Sequence, residues 1–272
     1  MVTDPFLVGV FFGFVPAMGL LYILLHEYHA LFQEKRMFRT FLFGMIAGVL
    51  VTVLEQGISP AVTQLVGLRV AGAAAALTVL AVALLVGLLE ALAFTAILNW
   101  RTFRAKRDTP FYGVAFGIGF GGTQVLVLMS LVLRTAEALA PSGGFTWVDA
   151  VLVTMLGLFF IGGILVHGAV GAWIGHGTGM GPLAPMVLRS MVAIGAYIAG
   201  FYAILLGPAP WISHTIAIAG LAFGLVLVSR VIVRRLDGLV PIEILREIGI
   251  HNRRLARRVV REGPPGDPPG PT

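Results

Sequence analysis

Polar side chains interrupt long apolar segments at four places: Glu90 in LLVGLLEALAF, Gln124 in FGIGFGGTQVL, His167 in ILVHGAVGAWIG and Arg189 in MVLRSMV. A charge at membrane depth costs a few kcal/mol, so such side chains usually face a bundle interior or a water-filled cavity. A carboxylate and an imidazole at matched depth are the minimum for activating a water by general base catalysis. Glu90 and His167 are therefore the candidate catalytic residues, with Arg189 and Gln124 as supporting groups.

Each of these residues also has a structural interpretation. Glu90 is the only ionisable side chain within residues 70–98, and Arg189 is a sensible ion-pair partner for it. His167 is a packed, hydrogen-bonded histidine in this interpretation. Gln124 is an interhelical hydrogen bonder, worth about 0.6–2 kcal/mol. Because all four groups are expected to converge, we favour a catalytic role for them over a purely structural one.

The composition identifies an integral membrane protein. Of 272 residues, 58% are hydrophobic and only 12% are charged, whereas a soluble domain carries about 25% charged residues. Such a chain cannot cover a water-facing surface. Cysteine is absent, which excludes a disulfide framework and a thiolate metal site. The 35 glycines suit close helix packing in lipid.

A membrane-spanning helix needs about 20 mostly apolar residues, and seven segments meet that condition. The sequence therefore predicts an all-α polytopic bundle of about seven spans. The predicted spans are Phe6–Leu25, Thr40–Glu55 with its flanks, Val70–Leu98, Phe111–Leu133, Val148–Ile174, Leu183–Leu206 and Trp211–Val233.

Basic residues predict the orientation of the bundle. They concentrate after spans one, three and seven, and the other side of the membrane has only Arg69 and Arg134. By the positive-inside rule the first group is cytoplasmic, which places the N-terminus outside and the C-terminus inside. We expect a multi-pass protein of the cell membrane. The basic residues are Lys35, Arg36, Arg39, Arg101, Arg104, Lys106, Arg107, Arg230, Arg234 and Arg235.

The predicted spans set the depth of each polar group, at ~1.5 Å per residue. Counted from the cytoplasmic ends of their spans, Arg189 lies at about 9 Å, His167 at about 10 Å, Glu90 at about 12 Å and Gln124 at about 20 Å. The four groups are therefore expected to converge in the cytoplasmic half of the bundle.

Other polar residues are expected to lie apart from this group. Glu55 and His214 fall at the outer ends of their spans. The segment HEYH, residues 26–29, has its two histidines three residues apart, whereas the zinc helix HExxH needs a spacing of four. No cofactor is predicted, since Glu90 and His167 fall short of the three protein ligands usual for catalytic zinc. A metal is not excluded.

The chain divides into a transmembrane domain over residues 1–235, a cytoplasmic basic amphipathic helix over 236–262 and a disordered Pro/Gly tail over 263–272. The basic helix either binds anionic lipid or simply anchors the cytoplasmic end. The net charge of +6 follows from topology, so no nucleic-acid partner is predicted. The expected partners are membrane lipids and a membrane protein or peptide.

Three motifs resemble those of the PrsW family of intramembrane proteases, which belongs with the CAAX-processing and bacteriocin-processing glutamate-type membrane proteases. The motifs are LLEALAF, RDTPFYGVAFGIGFGGTQ and VHGAVGAWIG, and the resemblance covers residues 80–235. It implies a helical membrane core in which Glu90 and His167 carry the family's catalytic carboxylate and imidazole.

The chain departs from the family pattern at four positions. The family's paired glutamate is reduced to Glu90 followed by Ala91, and Phe94 stands where a basic residue is expected. Gln124 replaces a glutamate and Val125 the asparagine after it. If Glu90 matches the first glutamate of the pair, the water-activating role persists. If it matches the second, the base is lost. Gln124 cannot serve as the base, since glutamine has no titratable oxygen.

Two functions follow from these motifs. In the first, Glu90 and His167 activate a water that cleaves a peptide bond, with Arg189 tuning Glu90 or stabilising the oxyanion. In the second, the scaffold has lost its chemistry and binds a membrane protein or peptide. A transporter is a weaker third alternative, because the spans show no obvious inverted repeat and charged pathway residues are few.

Overall fold

The computed structural model describes residues 4–26, 28, 32–67, 73–104, 106, 108–139, 147–206 and 210–233. These residues form helices without any strand, and seven of the helices are long and apolar enough to cross a membrane. The prediction of an all-α bundle with seven spans is confirmed. The helices are α1 Pro5–Leu25, α2 Glu34–Gly67, α3 Ala73–Leu98, α4 Thr109–Leu139, α5 Trp147–Gly179, α6 Leu183–Leu206 and α7 Pro210–Val228.

Helices α2 and α5 continue beyond the predicted ends of their spans, and both carry residues of the candidate site. Helix α2 has 34 residues and is therefore about 51 Å long, well beyond the ~30 Å core of a bilayer. Its predicted end at Glu55 lies inside a continuous helix. Helix α5 continues past the predicted end at Ile174 to Gly179. The predicted basic helix over residues 236–262 and the predicted Pro/Gly tail over residues 263–272 lie outside the described residues.

Helices α4 and α5 form the centre of the bundle. In the most apolar stretch of each helix, 83% of residues are buried in α4 and 72% in α5. The corresponding share in the other five helices is 22–33%. The other helices pack around this pair: α1 and α2 contact α4, α7 contacts α5, and α3 packs mainly on α6, which also contacts α5. A functional group on α4 or α5 is therefore enclosed on most sides by protein.

Glycines bring the two central helices into backbone contact. A Cβ atom on Gly113 would overlap the carbonyl group of Gly171, and one on Gly117 would overlap the carbonyl group of His167. Small residues allow this close approach in membrane bundles, where packing rather than water exclusion holds helices together. The glycine-rich run of α4 thus fixes its distance from the helix that carries His167.

The flanking helices use the same device. Gly48 on α2 lies against the backbone of Phe120 on α4. A Cβ atom added to Gly87 on α3 would lie only 2.6 Å from the carbonyl oxygen of Met191 on α6. These contacts set the register of α2 against α4 and of α3 against α6.

The first and third connections meet at one end of the bundle. The backbone N–H of Gln33 donates to the Tyr112 hydroxyl at 3.1 Å, and the Arg36 guanidinium lies 5.6 Å from the centre of the same ring. Gly179 at the end of α5 lies against the backbone of Lys106. The described basic residues of these connections thus share one end of the bundle; that this end faces the cytoplasm stays a prediction.

We expect Gly113→Ala to lower the unfolding temperature of the detergent-solubilised protein. The added methyl group must push α4 away from the backbone of Gly171, and overpacking of this kind costs about 1–3 kcal/mol. The same substitution at Gly19, where a Cβ meets nothing within 4 Å, is the control. It should be neutral or stabilising, since alanine is the better helix former by about 1 kcal/mol. Equal effects of the two substitutions would contradict the close packing of α4 on α5.

Candidate functional site

A glutamate and a histidine from different helices form a direct buried pair. The Glu90 carboxyl oxygen Oε2 lies 2.7 Å from His167 Nε2. Glu90 is 0% exposed and His167 is 1% exposed, so neither side chain contacts lipid or bulk solvent. This contact joins α3 to α5 in the interior of the bundle.

The second ring nitrogen of His167 fixes where its proton lies. Nδ1 is 2.7 Å from the carbonyl oxygen of Gly163, one turn earlier on α5. A carbonyl oxygen only accepts hydrogen bonds, so Nδ1 carries a proton and donates it. One further proton then lies between His167 Nε2 and Glu90. It either makes an imidazolium–carboxylate pair or rests on the carboxyl group, and the pair can exchange it over a single hydrogen bond.

A glutamine amide joins this pair to a second carboxyl group. Gln124 Nε2 donates to Glu90 Oε1 at 2.6 Å and to Glu55 Oε2 at 3.2 Å. One amide nitrogen has two hydrogens, so it can serve both acceptors at once. Glu55, Gln124, Glu90 and His167 therefore form one continuous cluster, contributed by α2, α4, α3 and α5.

Glu55 corrects the sequence prediction, which set it apart at the outer end of its span. Glu55 does lie near the end of the apolar part of α2, which ends at Gly57. It nevertheless joins the cluster, because Gln124 on α4 lies level with it and its amide reaches the Glu55 carboxyl group. Glu55 is only half-buried, but its Oε1 atom is enclosed and has no hydrogen-bond partner. The sequence offers one indication of this role: Glu55 is an ionisable side chain in an apolar span, and such a residue is a functional candidate by default.

Arg189 does not join the cluster. Its side chain is exposed on α6, whereas Glu90 is fully buried and is bonded to His167 and Gln124. The expected pairing of Glu90 with Arg189 is therefore not formed. The following residue, Ser190, is the buried one at this point of α6, since neighbouring residues of a helix point about 100° apart.

Aromatic rings wall the imidazole. Phe120 on α4 stacks on His167 with ring centres 5.3 Å apart, and Phe94 on α3 lies at 6.2 Å. Phe94 packs edge-on against Phe116, so this side of the imidazole is an apolar wall. Gly121 leaves room for the ring, because a Cβ there would lie 3.2 Å from His167 Nδ1. An imidazolium in this place would gain from the aromatic faces.

Glu90 lies at its predicted distance from the end of its helix, whereas His167 lies farther from the end of α5 than predicted. Glu90 is eight residues before the end of α3 at Leu98, or about 12 Å along the helix axis. His167 is twelve residues before the end of α5 at Gly179, or about 18 Å. The predicted depth of His167 was too shallow because α5 continues beyond Ile174.

The cluster does not have the ligands of a metal centre. Among the described residues there is no group of three or more His, Cys, Asp or Glu side chains placed to hold a metal ion. The fourth member of the cluster, Gln124, offers its amide nitrogen to both carboxyl groups, and an N–H group cannot ligate a cation.

The arrangement can accept and store a proton. A carboxylate has about four acceptor sites, and the donors from Gln124 and His167 use two of those of Glu90. A water that enters the cluster can therefore donate to Glu90 without displacing either partner. The shared proton of the pair has the chemistry of a general acid, and the carboxylate has that of a general base.

No known family model, curated protein or solved structure matches this chain. The resemblance to the PrsW family thus stays a prediction from the three motifs.

We expect a strong coupling between Glu90→Ala and His167→Ala in a double-mutant cycle. Removing His167 alone leaves a buried carboxyl group without its partner, which typically costs about 3–5 kcal/mol of stability. The double variant removes both partners, so its loss should be smaller than the sum of the single losses by about 0.5–3 kcal/mol. Unfolding of the purified protein in detergent measures all four states. Losses that add within about 0.5 kcal/mol would show that the two side chains do not touch.

Exchange of Gln124 with its partner Glu55 gives a second test. Gln124→Glu should destabilise the protein, because it replaces the bridging donor with a third carboxyl group and leaves no amide between them. Adding Glu55→Gln to that variant returns one amide to the cluster, so the double variant should recover at least half of the lost unfolding temperature. The control is Glu55→Gln alone. Failure of the second substitution to improve on Gln124→Glu would argue against the bridge.

Proposed function

We propose that this chain is a PrsW-like peptidase of the cell membrane, in which Glu90 and His167 activate a water that cleaves a peptide bond. The observation that supports the proposal is the 2.7 Å contact between a fully buried carboxyl group and an imidazole from separate helices. Both groups stand at the positions where the chain resembles the family motifs. A water that donates to Glu90 would meet a general base whose partner holds a proton.

The proposed reaction begins with the attack of water on the peptide bond. The water oxygen forms a bond to the carbonyl carbon of the peptide while its proton passes to the Glu90 carboxylate. The carbonyl π electrons move to the oxygen and give a tetrahedral oxyanion. Collapse of that intermediate breaks the C–N bond, and the Glu90–His167 pair returns the proton to the leaving amine. General acid–base catalysis of this kind contributes about 10²–10⁴-fold to the rate.

Gln124 and Glu55 have supporting roles in this proposal. The amide of Gln124 holds Glu90 Oε1 at 2.6 Å and so orients the carboxyl group toward its histidine. Glu55 adds a second carboxyl group within hydrogen-bond reach of Glu90. The two carboxyl groups can therefore share a proton at the site.

The surroundings of the pair indicate the class of substrate. The cluster lies within helices that are apolar enough to cross a membrane, and the imidazole is walled by Phe94 and Phe120. A segment of another membrane protein or a lipid-embedded peptide can reach such a place more easily than a polar soluble peptide, since its desolvation costs less. Membrane lipids are the immediate partners of the outer helix faces.

A scaffold without catalytic activity is the second candidate, and one observation favours it. Glu90, Gln124 and His167 are almost completely enclosed, and Gln124 stands where the family has a glutamate. In this alternative the cluster locks α3, α4 and α5 together, and the chain binds a membrane protein or peptide by its helix faces.

We expect the purified protein in lipid vesicles to cleave at least one member of a broad set of single-span peptides. Glu90→Gln and His167→Ala should each lower the cleavage rate by about 10²-fold or more, with products identified by mass spectrometry. Arg189→Ala, a change on the exposed face of α6, is the control and should cleave like the wild type. Absence of cleavage by wild-type protein across the whole set would favour the scaffold, as would equal cleavage by all three variants.

A further inference from the structure

A buried serine on α6 lacks the hydrogen bond that six other helical hydroxyl groups make. Six hydroxyl side chains in the described helices donate to the carbonyl oxygen four residues earlier, at 2.7–3.0 Å. They are Thr40, Thr52, Thr95, Thr123, Ser130 and Thr178. Ser190 is 0% exposed, and its Oγ atom has no partner. A buried unsatisfied polar group is costly, so it calls for an explanation.

The packing of α6 on α5 places Ser190 beside the turn of His167. Tyr197 lies two turns after Ser190 and so points in nearly the same direction. Its hydroxyl donates to the carbonyl oxygen of Phe159 at 2.8 Å and lies against Gly163, both on α5. Because α5 and α6 run in opposite directions, seven residues back along α6 correspond to seven residues forward along α5. That register places Ser190 at the level of residues 166–170.

The packing of α6 on α3 places the same serine beside Glu90. Gly195 lies against the backbone of Ala83 and Leu84, and Gly87 lies against that of Met191. These two helices are also antiparallel, so five residues from Gly195 to Ser190 correspond to five residues from Leu84 onward along α3. Ser190 is therefore level with residues 89–90, between the two helices that hold the Glu90–His167 pair.

We propose that Ser190 donates its hydroxyl hydrogen to the carbonyl oxygen of the peptide that is cleaved and stabilises the oxyanion that forms there. This inference rests on the proposed peptidase function. It assigns to Ser190 the oxyanion role that was predicted for Arg189, whose side chain is exposed. An O–H donor held in an enclosed apolar site gains strength when charge develops on its acceptor. A hydroxyl group without a protein partner is free to make that bond.

Ser190→Ala and Ser130→Ala form a matched pair for the test. Ser130 Oγ donates to Leu126 at 2.7 Å and lies 3.2 Å from the Pro5 carbonyl oxygen, so its loss should lower the unfolding temperature and leave cleavage unchanged. Ser190→Ala should leave the unfolding temperature equal or higher, since no internal bond is lost. Its kcat for the peptide that wild-type protein cleaves should fall by about 10²–10³-fold, with KM nearly unchanged.

A second measurement does not depend on activity. The chain has no cysteine, so Ser190→Cys introduces a single thiol whose reaction with N-ethylmaleimide reports on that position alone. A site that opens to a peptide also opens to this reagent, so the thiol should react at least tenfold faster than that of Ala169→Cys, which is packed in the core of α5. Equal reactivity of the two thiols would overturn the proposal.

Two results separate this inference from the proposed function. Wild-type cleavage with full activity of Ser190→Ala, or a lower unfolding temperature of that variant, would overturn the role of Ser190 and leave the peptidase intact. Lack of cleavage by wild-type protein would overturn the peptidase, and the oxyanion role with it, whatever the reactivity of the Ser190→Cys thiol.

Discussion

The hydrogen bond between Glu90 and His167 is the constraint on which the rest of the structure depends. A fully enclosed carboxyl group needs a partner, because an unpaired buried charge costs several kcal/mol. The partner stands on a different helix, so α3 and α5 must keep one relative height and rotation. The glycines of α4 permit this by letting α5 approach to backbone contact, and the amide of Gln124 fixes the remaining oxygen of Glu90. The close packing and the polar cluster therefore specify the same arrangement of helices.

The same constraint organises the rest of the polar cluster. Gln124 extends it from α4, and Glu55 brings a second carboxyl group from α2, within 3.2 Å of the Gln124 amide nitrogen. Phe94, one turn after Glu90 on α3, walls the imidazole. The cluster thus holds two carboxyl groups, one amide and one imidazole. Its charge balance rests on shared protons rather than on a cation from arginine or lysine.

Hydropathy was sufficient to predict the seven spans, because a run of about 20 apolar residues has few alternatives to a membrane helix. The rarity of ionisable side chains in those spans was sufficient to single out Glu90 and His167. Glu55 and Ser190 were missed for different reasons. The depth of Glu55 depends on how far α2 continues and how it tilts, which its local sequence does not encode. The choice between Arg189 and Ser190 depends on which face of α6 meets the bundle, and a helix that is apolar nearly all round gives little indication of that face.

Nitrogen-15 NMR of the histidine rings in lipid vesicles tests the central pair most directly. The chain has six histidines, and the signals of His167 can be assigned by their loss in His167→Asn. We predict that its Nδ1 is protonated and that its Nε2 signal shifts in Glu90→Gln while those of the other histidines stay in place. An Nε2 signal of His167 that is identical in wild-type protein and Glu90→Gln would contradict the contact from which the proposed function is built.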